Sequence, residues 1–286
     1  IRWQEGERLD NVFEKTCDKL INEGKGAHLA IDNSENSISY KELEEKANQF
    51  ARYLAKKGIK SGDRVGLLFN KSIYTYISLL AVLKLNAAYI PLDAGFPQDR
   101  IAFILKDANV TKVLTLEELK NVLDGINTSI LTLDDPEIDL ENVSKQRLTD
   151  EEKGKAREQL CYIIYTSGTT GNPKGVTIEH PSICNFVHVA VEAYGVRQTD
   201  RMYQGMTIAF DFSVEEIWVA FAAGATLVPG RGDTNLVGKD LSDYLIENDV
   251  TELCCCPTLL ATIEEELPKL RFLLVSGEAC PHNLVV

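Results

Sequence analysis

The chain has 286 residues, of which 44% are hydrophobic and 26% are charged, and its formal net charge is −13 at pH 7. This size and hydrophobic content are sufficient to bury a substantial core. The negative charge argues against nonspecific attachment to nucleic acid or to an anionic membrane, which requires clustered Lys and Arg. The best apolar run, Ile77 to Leu92, contains Lys84 and Asn86, so it does not predict a membrane span.

The seven cysteines are odd in number, and most lie in apolar segments without Cys-x-x-Cys spacing. This pattern predicts buried, reduced thiols rather than disulfides or a zinc site. No basic start followed by an apolar stretch is visible at the N-terminus, so the sequence shows no signal peptide. We therefore expect a cytoplasmic protein without metal ligands of its own.

Helical and strand-like segments alternate along the chain. Helices are predicted from the apolar periodicity, and the first of them ends at Gly58. The predicted helices span residues 40–57, 73–85, 98–107, 180–194, 213–223, 239–248 and 258–267. The predicted strands span residues 64–70, 88–91, 112–116, 160–165, 226–229, 252–256 and 271–275. Because these strands lack simple polar alternation, they predict an α/β protein with mainly parallel sheets covered by helices.

Composition divides the chain into two αβ-rich regions. Residues 1–133 and 160–286 contain the predicted elements, whereas residues 134–159 are polar and charged. The sequence therefore predicts two αβ-rich subdomains joined by an exposed connector at 134–159.

A segment rich in glycine and hydroxyl side chains follows the predicted strand at 160–165. It has glycines at 168, 171 and 175, and Lys174 lies near its end. Backbone N–H groups and hydroxyls in such a loop can bind phosphate oxygens, and lysine adds a point charge. The spacing is not the Walker pattern, since Lys174 is followed by Gly175 rather than by Ser or Thr. The segment predicts a phosphate site, and a connector that binds nothing is the alternative.

Residues 162–176, YIIYTSGTTGNPKGV, closely resemble the signature Y-T-S-G-T-T-G-x-P-K-G-V of an adenylate-forming superfamily. That superfamily contains acyl-CoA synthetases, firefly-type luciferases and nonribosomal peptide synthetase adenylation domains. The resemblance implies ATP and Mg²⁺ as cofactors, with the loop contacting the β- and γ-phosphates and catalytic roles for Thr166 and Lys174. The implied phosphate-binding residues are Thr166, Ser167, Gly168, Thr169, Thr170, Gly171 and Lys174.

Other segments resemble the peptide synthetase branch of this superfamily. Residues 83–93, LKLNAAYIPLD, followed by Pro97 and Arg100, are similar to a motif that we expect to build the scaffold. Residues 210–225, FDFSVEEIWVAFAAGA, resemble F-D-x-S-V-x-E-I-F-x-x-L-x-x-G-A. This likeness implies that Asp211 pairs with the substrate α-ammonium and that Phe210 lines the entrance between the ATP and substrate pockets.

Part of the same segment has a local structural interpretation. Ser213 and Glu216 have the spacing of a capping box, which predicts that Glu216 supports the start of the following helix. Asp211 would then assist the cap if it does not bind the substrate.

Residues 273–280, LLVSGEAC, resemble the L-x-x-G-G-E element whose backbone lies along the adenine, which implies ATP-binding roles for Gly277 and Glu278. The resemblance places the specificity pocket at Asp211, Phe212, Glu215, Cys254, Leu274 and Ser276. A carboxylate at position 215 would be costly to bury unless paired, which favours lysine, ornithine, diaminobutyrate or arginine as the substrate. A solvated Glu in the first turn of a helix is the alternative.

The tracts 214–218 and 256–264 also resemble synthetases that make cationic homopolymers of amino acids. The family implies activation of an amino acid as aminoacyl-AMP, followed by transfer to the phosphopantetheine thiol of a peptidyl carrier protein that lies among neighbouring synthetase domains. Because the chain contains no Y-G-P-T-E motif, we expect a partial, N-terminal adenylation domain with little or no activity alone. The alternatives are an acyl- or aryl-CoA ligase and a noncatalytic half-domain that binds ATP or a partner.

Overall fold

The computed structural model describes residues 1–33, 36–167, 173–232 and 235–284. Up to residue 133 it contains the following elements in chain order: α1 (Leu9–Asn22), β1 (Leu29–Asp32), β2 (Ser37–Ser39), α2 (Tyr40–Lys56), β3 (Arg64–Leu68), α3 (Ile73–Lys84), β4 (Ala88–Leu92), α4 (Gln98–Asp107), β5 (Lys112–Thr115), a 3-10 helix (Glu117–Leu123) and β6 (Ile130–Thr132).

The remaining elements begin with a short helix within the polar stretch. They are α5 (Asp150–Lys153), β7 (Leu160–Thr166), β8 (Lys174–Glu179), α6 (His180–Tyr194), β9 (Arg201–Gln204), α7 (Phe212–Ala223), β10 (Thr226–Pro229), α8 (Gly238–Glu247), β11 (Glu252–Cys255), α9 (Pro257–Leu260), β12 (Phe272–Val275) and a second 3-10 helix (His282–Leu284).

The strands form two six-stranded sheets. Sheet I has the order β12-β11-β9-β10-β1-β2, and sheet II has the order β6-β5-β3-β4-β7-β8. The pairs β1–β2 and β7–β8 are antiparallel, whereas the other pairs are parallel. The predicted α/β class with mainly parallel sheets is therefore confirmed.

The sheets combine strands from distant parts of the sequence. β1 and β2 join sheet I, whose other strands come from residues 201–275, and β7 and β8 join sheet II beside β4. Residues 134–159 are mostly exposed, and Arg52 of α2 holds them by an ion pair to Glu152 at 2.7 Å. Each sheet thus draws strands from both sides of residues 134–159. The division into domains at 133 and 160 stays a prediction.

Most of the predicted helices and strands are confirmed within a few residues. The helix predicted at 258–267 is wrong beyond Leu260, where the chain leaves the helical conformation. Three consecutive glutamates at 264–266 and Pro268 follow, and both features disfavour continuation of a helix toward its C-terminus. The sequence analysis did not identify α1, α5, β1, β2, β6, β8, β9 or the two 3-10 helices.

The largest core cluster joins both sheets. It contains Leu67 of β3 and Leu227 of β10 together with side chains of α1, α2, α3 and α7. Lys84 of α3 is fully buried in this region, where its ammonium group pairs with the carboxylate of Glu14 in α1. All seven cysteines are free thiols, and five of them are buried. Among the described helices, none has the length and apolar character needed to cross a membrane.

Candidate functional site

A cavity of about 690 Å³ lies where β7 of sheet II ends and α7 begins. The segments that follow β9 and β12 of sheet I complete its wall. Ligands of open parallel sheets bind beyond the carboxyl ends of the strands, which is the position of this cavity. The predicted site residues among its lining are Thr166, Ser167, Phe210, Asp211, Phe212, Glu215, Ser276 and Gly277.

One part of the cavity is formed by the end of β7. Thr166 is the last residue of this strand, and both Thr166 and Ser167 are exposed at the cavity. The antiparallel pairing of β7 with β8 places Lys174 opposite Thr166. Hydroxyl groups and an exposed ammonium group at one strand end can bind phosphate oxygens. The predicted loop residues Gly168, Thr169, Thr170 and Gly171 lie outside the described residues.

Gly175 is required by the close pairing of β7 and β8. A Cβ atom at this position would lie 2.9 Å from Cζ of Tyr165 and 3.0 Å from Cγ2 of Ile163. The Tyr165 hydroxyl donates to the Asp107 carboxylate at 2.6 Å, which fixes the ring that crosses Gly175. The glycine therefore serves the strand pairing that brings Lys174 beside Thr166.

The start of α7 presents Phe210 and Asp211 to the cavity. Phe210 is 47% exposed, and Asp211 is the residue that precedes the helix. Asp211 makes no side-chain capping hydrogen bond, so its carboxylate does not support the helix start in the described structure. The predicted capping box is also wrong, because Ser213 Oγ donates instead to the Phe210 carbonyl at 2.7 Å.

Glu216 has a different structural role from the predicted one. Its fully buried carboxylate accepts the backbone N–H groups of Gly205 and Met206, both at 3.2 Å, and the side-chain amide of Gln204 at 3.3 Å. Burial raises the pKa of Glu216 to about 8, although these hydrogen bonds act in the opposite direction. Glu216 therefore anchors the segment that follows β9 and leads to the cavity residues Thr207 and Phe210.

Glu215 faces the cavity from the adjacent turn of α7. Its side chain is partly buried, and it accepts a hydrogen bond from the hydroxyl of Tyr194 at the end of α6. Burial raises the pKa of Glu215, the hydrogen bond from Tyr194 lowers it, and the nearby Asp211 raises it. The Tyr194 ring stacks on Phe272 with 5.0 Å between centroids. Glu215 is thus held by a protein partner rather than solvated freely.

The remaining predicted residues lie at different depths along sheet I. Ser276 and Gly277 follow β12 and line the cavity, and Gly277 has a φ of 89°, which favours glycine. Cys254 is only 2% exposed, and Leu274, which lies opposite it on β12, packs against the core. Neither residue is among the described residues that line the cavity.

Glu278 is exposed and contacts the start of α9. Its carboxylate accepts hydrogen bonds from the backbone N–H of Thr258, at 3.3 Å, and from the Thr258 hydroxyl. Within the described ranges, no group of three or more His, Cys, Asp or Glu side chains is arranged to hold a metal ion.

Two residues that the sequence analysis did not assign to the site also contribute to it. Tyr194 lies 21 residues before its partner Glu215 in the sequence, and no local sequence pattern predicts that contact. Arg100 of α4, expected to be scaffold, lines the same cavity as Thr166 and Ser167.

The fold and the cavity define an α/β ligand-binding protein with hydroxyl donors and carboxylates in one site. Its family is the AMP-binding enzyme family, whose model matches residues 17–285, and the chain belongs to that family of adenylate-forming ligases.

The relatives include nonribosomal peptide synthetases. The chain is 33% identical to tyrocidine synthase 1 of Brevibacillus parabrevis, over 100% of this chain and 26% of that protein. It is 34% identical to delta-poly-L-ornithine synthetase of Acinetobacter baumannii (strain AB307-0294), over 98% of this chain and 20% of that protein. The chain therefore spans only a small part of these curated relatives.

A solved structure with the same fold is the AMPPNP-bound form of a variant of the nonribosomal peptide synthetase FmoA3. Its TM-score is 0.83 at 27% identity, and the match covers 97% of this chain and 29% of the other. The chain thus resembles the N-terminal portion of an adenylation domain.

Proposed function

We propose that this chain binds ATP and an amino acid and that the complete protein activates the amino acid as aminoacyl-AMP. The observation that carries this proposal is the single cavity shared by Thr166 and Ser167 at the end of β7 and by Asp211 at the start of α7. A hydroxyl-rich strand end suits phosphate, and a carboxylate without a capping partner suits an ammonium group. The similarity to nonribosomal peptide synthetases supports the same function.

The proposed reaction is a displacement at the α-phosphorus of ATP. A carboxylate oxygen of the amino acid forms the new bond to that phosphorus, and the bond to the leaving pyrophosphate breaks. Thr166, Ser167 and Lys174 would donate to the phosphate oxygens on which negative charge accumulates. We assign Mg²⁺ to ATP itself, because phosphate oxygens together with water are its preferred ligands. Asp211 would hold the α-ammonium and thereby orient the attacking carboxylate.

We further propose a cationic amino acid as the substrate. Asp211 and Glu215 are four residues apart, which places both side chains on one face at the start of α7, and both line the cavity. One carboxylate would bind the α-ammonium and the other the side-chain cation, as in lysine, ornithine, diaminobutyrate or arginine. The similarity to a delta-poly-L-ornithine synthetase supports this class of substrate.

The phosphopantetheine thiol of a carrier protein in a cytoplasmic synthetase would then attack the carbonyl carbon of the aminoacyl-AMP, so that a thioester forms, the acyl–phosphate bond breaks and AMP leaves with the thiol proton released to solvent. This step and its partners rest on the family likeness alone. The expectation that the 286 residues alone activate substrate weakly or not at all stays a prediction.

The test is amino-acid-dependent release of pyrophosphate by the complete protein, with hydroxylamine to trap the adenylate. The panel contains ornithine, lysine, leucine and glutamate, together with octanoate and benzoate in the presence of coenzyme A. Glu215→Gln is assayed beside the parent protein. We expect turnover of the cationic substrates and a loss of about 10-fold or more in kcat/KM in the variant, since a charge-assisted contact is removed.

Turnover of leucine with no effect of the variant would refute the cationic substrate but retain adenylation. Turnover only of acyl or aryl acids with coenzyme A would refute amino-acid activation. The same assay on the 286-residue chain measures its activity alone.

A further inference from the structure

Arg100 lies in the first turn of α4, beside the end of β7. Ile101 and Tyr165 belong to one core cluster, and the Tyr165 hydroxyl donates to Asp107 at the other end of the helix. These contacts fix α4 against β7 close to Thr166. The Arg100 side chain therefore reaches the cavity from a rigid helix rather than from a loop.

The guanidinium group of Arg100 has an aromatic support. Its Cζ atom lies 3.9 Å from the centroid of the Phe96 ring, and both residues line the cavity. Stacking on one face of the guanidinium restricts its rotation and leaves its N–H edge available for a planar or tetrahedral anion.

Arg100 has no counterion in the described part of the chain. Its Nε atom is buried without a hydrogen-bond partner, and the residue as a whole is only partly exposed. Two other arginines with restricted exposure are paired: Arg52 lies 2.7 Å from Glu152, and Arg147 lies 2.6 Å from Glu44. A third, Arg64, donates to the Ala108 carbonyl at 3.1 Å. A partly buried cation without such a partner is unfavourable, and the first turn of a helix adds to the cost because it favours anions. Arg100 therefore does not stabilise the free protein through an ion pair, and its position suits an anionic ligand.

The ligand anion expected beside Arg100 is a phosphate group. The lining around the end of β7 combines Arg100 with the hydroxyl residues Thr166 and Ser167, which the proposed function assigns to phosphate. Arginine binds phosphate with two parallel N–H donors, which a lysine cannot reproduce.

We propose that Arg100 is a further ATP-binding residue that contacts the β- or γ-phosphate and then the pyrophosphate product. This inference rests on the proposed function, because it requires ATP in the cavity. It assigns a ligand contact to a residue whose sequence motif indicated only a scaffold role.

Isothermal titration calorimetry of the complete protein with ATP, inorganic pyrophosphate and AMP tests this proposal. We expect Arg100→Ala to weaken the binding of ATP and of pyrophosphate roughly 10- to 100-fold, since hydrogen bonds to charged groups are lost. The affinity for AMP should stay within about twofold, because AMP lacks the contacted groups. Arg100→Lys should recover part of the loss, since it retains the charge but not the paired donors.

The matched control is Lys106→Ala, which removes an exposed positive charge from the same helix. It should leave all three affinities within about twofold, because exposed charges away from a site contribute little. Retained AMP binding by Arg100→Ala shows that the variant is folded. Unchanged pyrophosphate affinity in Arg100→Ala, or an equal loss for AMP, would overturn the inference alone. Failure of the parent protein to bind ATP or pyrophosphate would overturn the proposed function as well.

Discussion

The buried carboxylate of Glu216 should make the stability of this protein depend on pH. Its pKa is raised from 4.5 to about 8 by burial, so between these values the folded state holds a proton that the unfolded state has released. The stabilisation is complete below pH 4.5 and is lost as the pH rises to about 8. The slope from this group is on the order of 1.4 kcal/mol per pH unit, which amounts to about 5 kcal/mol over the window.

Glu216→Gln removes this titration and keeps the shape of the side chain. We expect the free energy of unfolding of the parent, relative to that of the variant, to fall steadily from about pH 5 to about pH 8. Urea denaturation at half-unit pH steps measures the difference. Because other carboxylates titrate equally in both proteins, the difference isolates Glu216.

The control for this experiment is Glu141→Gln, which makes the same chemical change at an exposed position of the polar stretch. Parallel stability curves for the parent and Glu216→Gln would refute the reasoning. They would mean that the donors from Gly205, Met206 and Gln204 fully compensate for the burial of the carboxylate.

Two further predictions concern the hydrogen bond at Glu215 and the buried ion pair. Tyr194→Phe removes the donor to Glu215 and should raise KM for a cationic amino acid about 5- to 10-fold, with KM for ATP unchanged. Steady-state kinetics in which KM for the amino acid and KM for ATP change equally would contradict a positioning role. Lys84→Met removes the buried ammonium group that pairs with Glu14 and leaves this carboxylate with Asn11, at 3.3 Å, and Arg147, at 3.9 Å. The variant should destabilise the fold by about 3–5 kcal/mol in urea denaturation. Lys84→Met combined with Glu14→Gln should recover part of this loss, and a double variant as unstable as the single one would count against the ion-pair explanation.

The sequence by itself determined the class of fold and named several residues that line the cavity. Apolar periodicity located most helices and strands because it reflects local burial, which acts within a few residues. The contiguous segment 162–176 predicted a phosphate loop, and the segment beginning at Phe210 predicted Asp211 as a site residue; Thr166, Ser167 and Asp211 line one cavity. Periodicity and contiguous motifs each depend on residues that are neighbours in the chain, so they can be recognised in a single sequence.

Only the tertiary structure decided which distant groups meet. The spacing of Ser213 and Glu216 predicted a cap. Glu216 instead lies on a buried face of α7, where its carboxylate accepts the backbone N–H groups of Gly205 and Met206. Tyr194 reaches Glu215 from another helix, and Arg100 reaches the cavity from α4, 66 positions before Thr166. β1 and β2 likewise pair into a sheet whose other strands lie more than 160 residues later. Such contacts follow from packing between elements, which local periodicity does not encode.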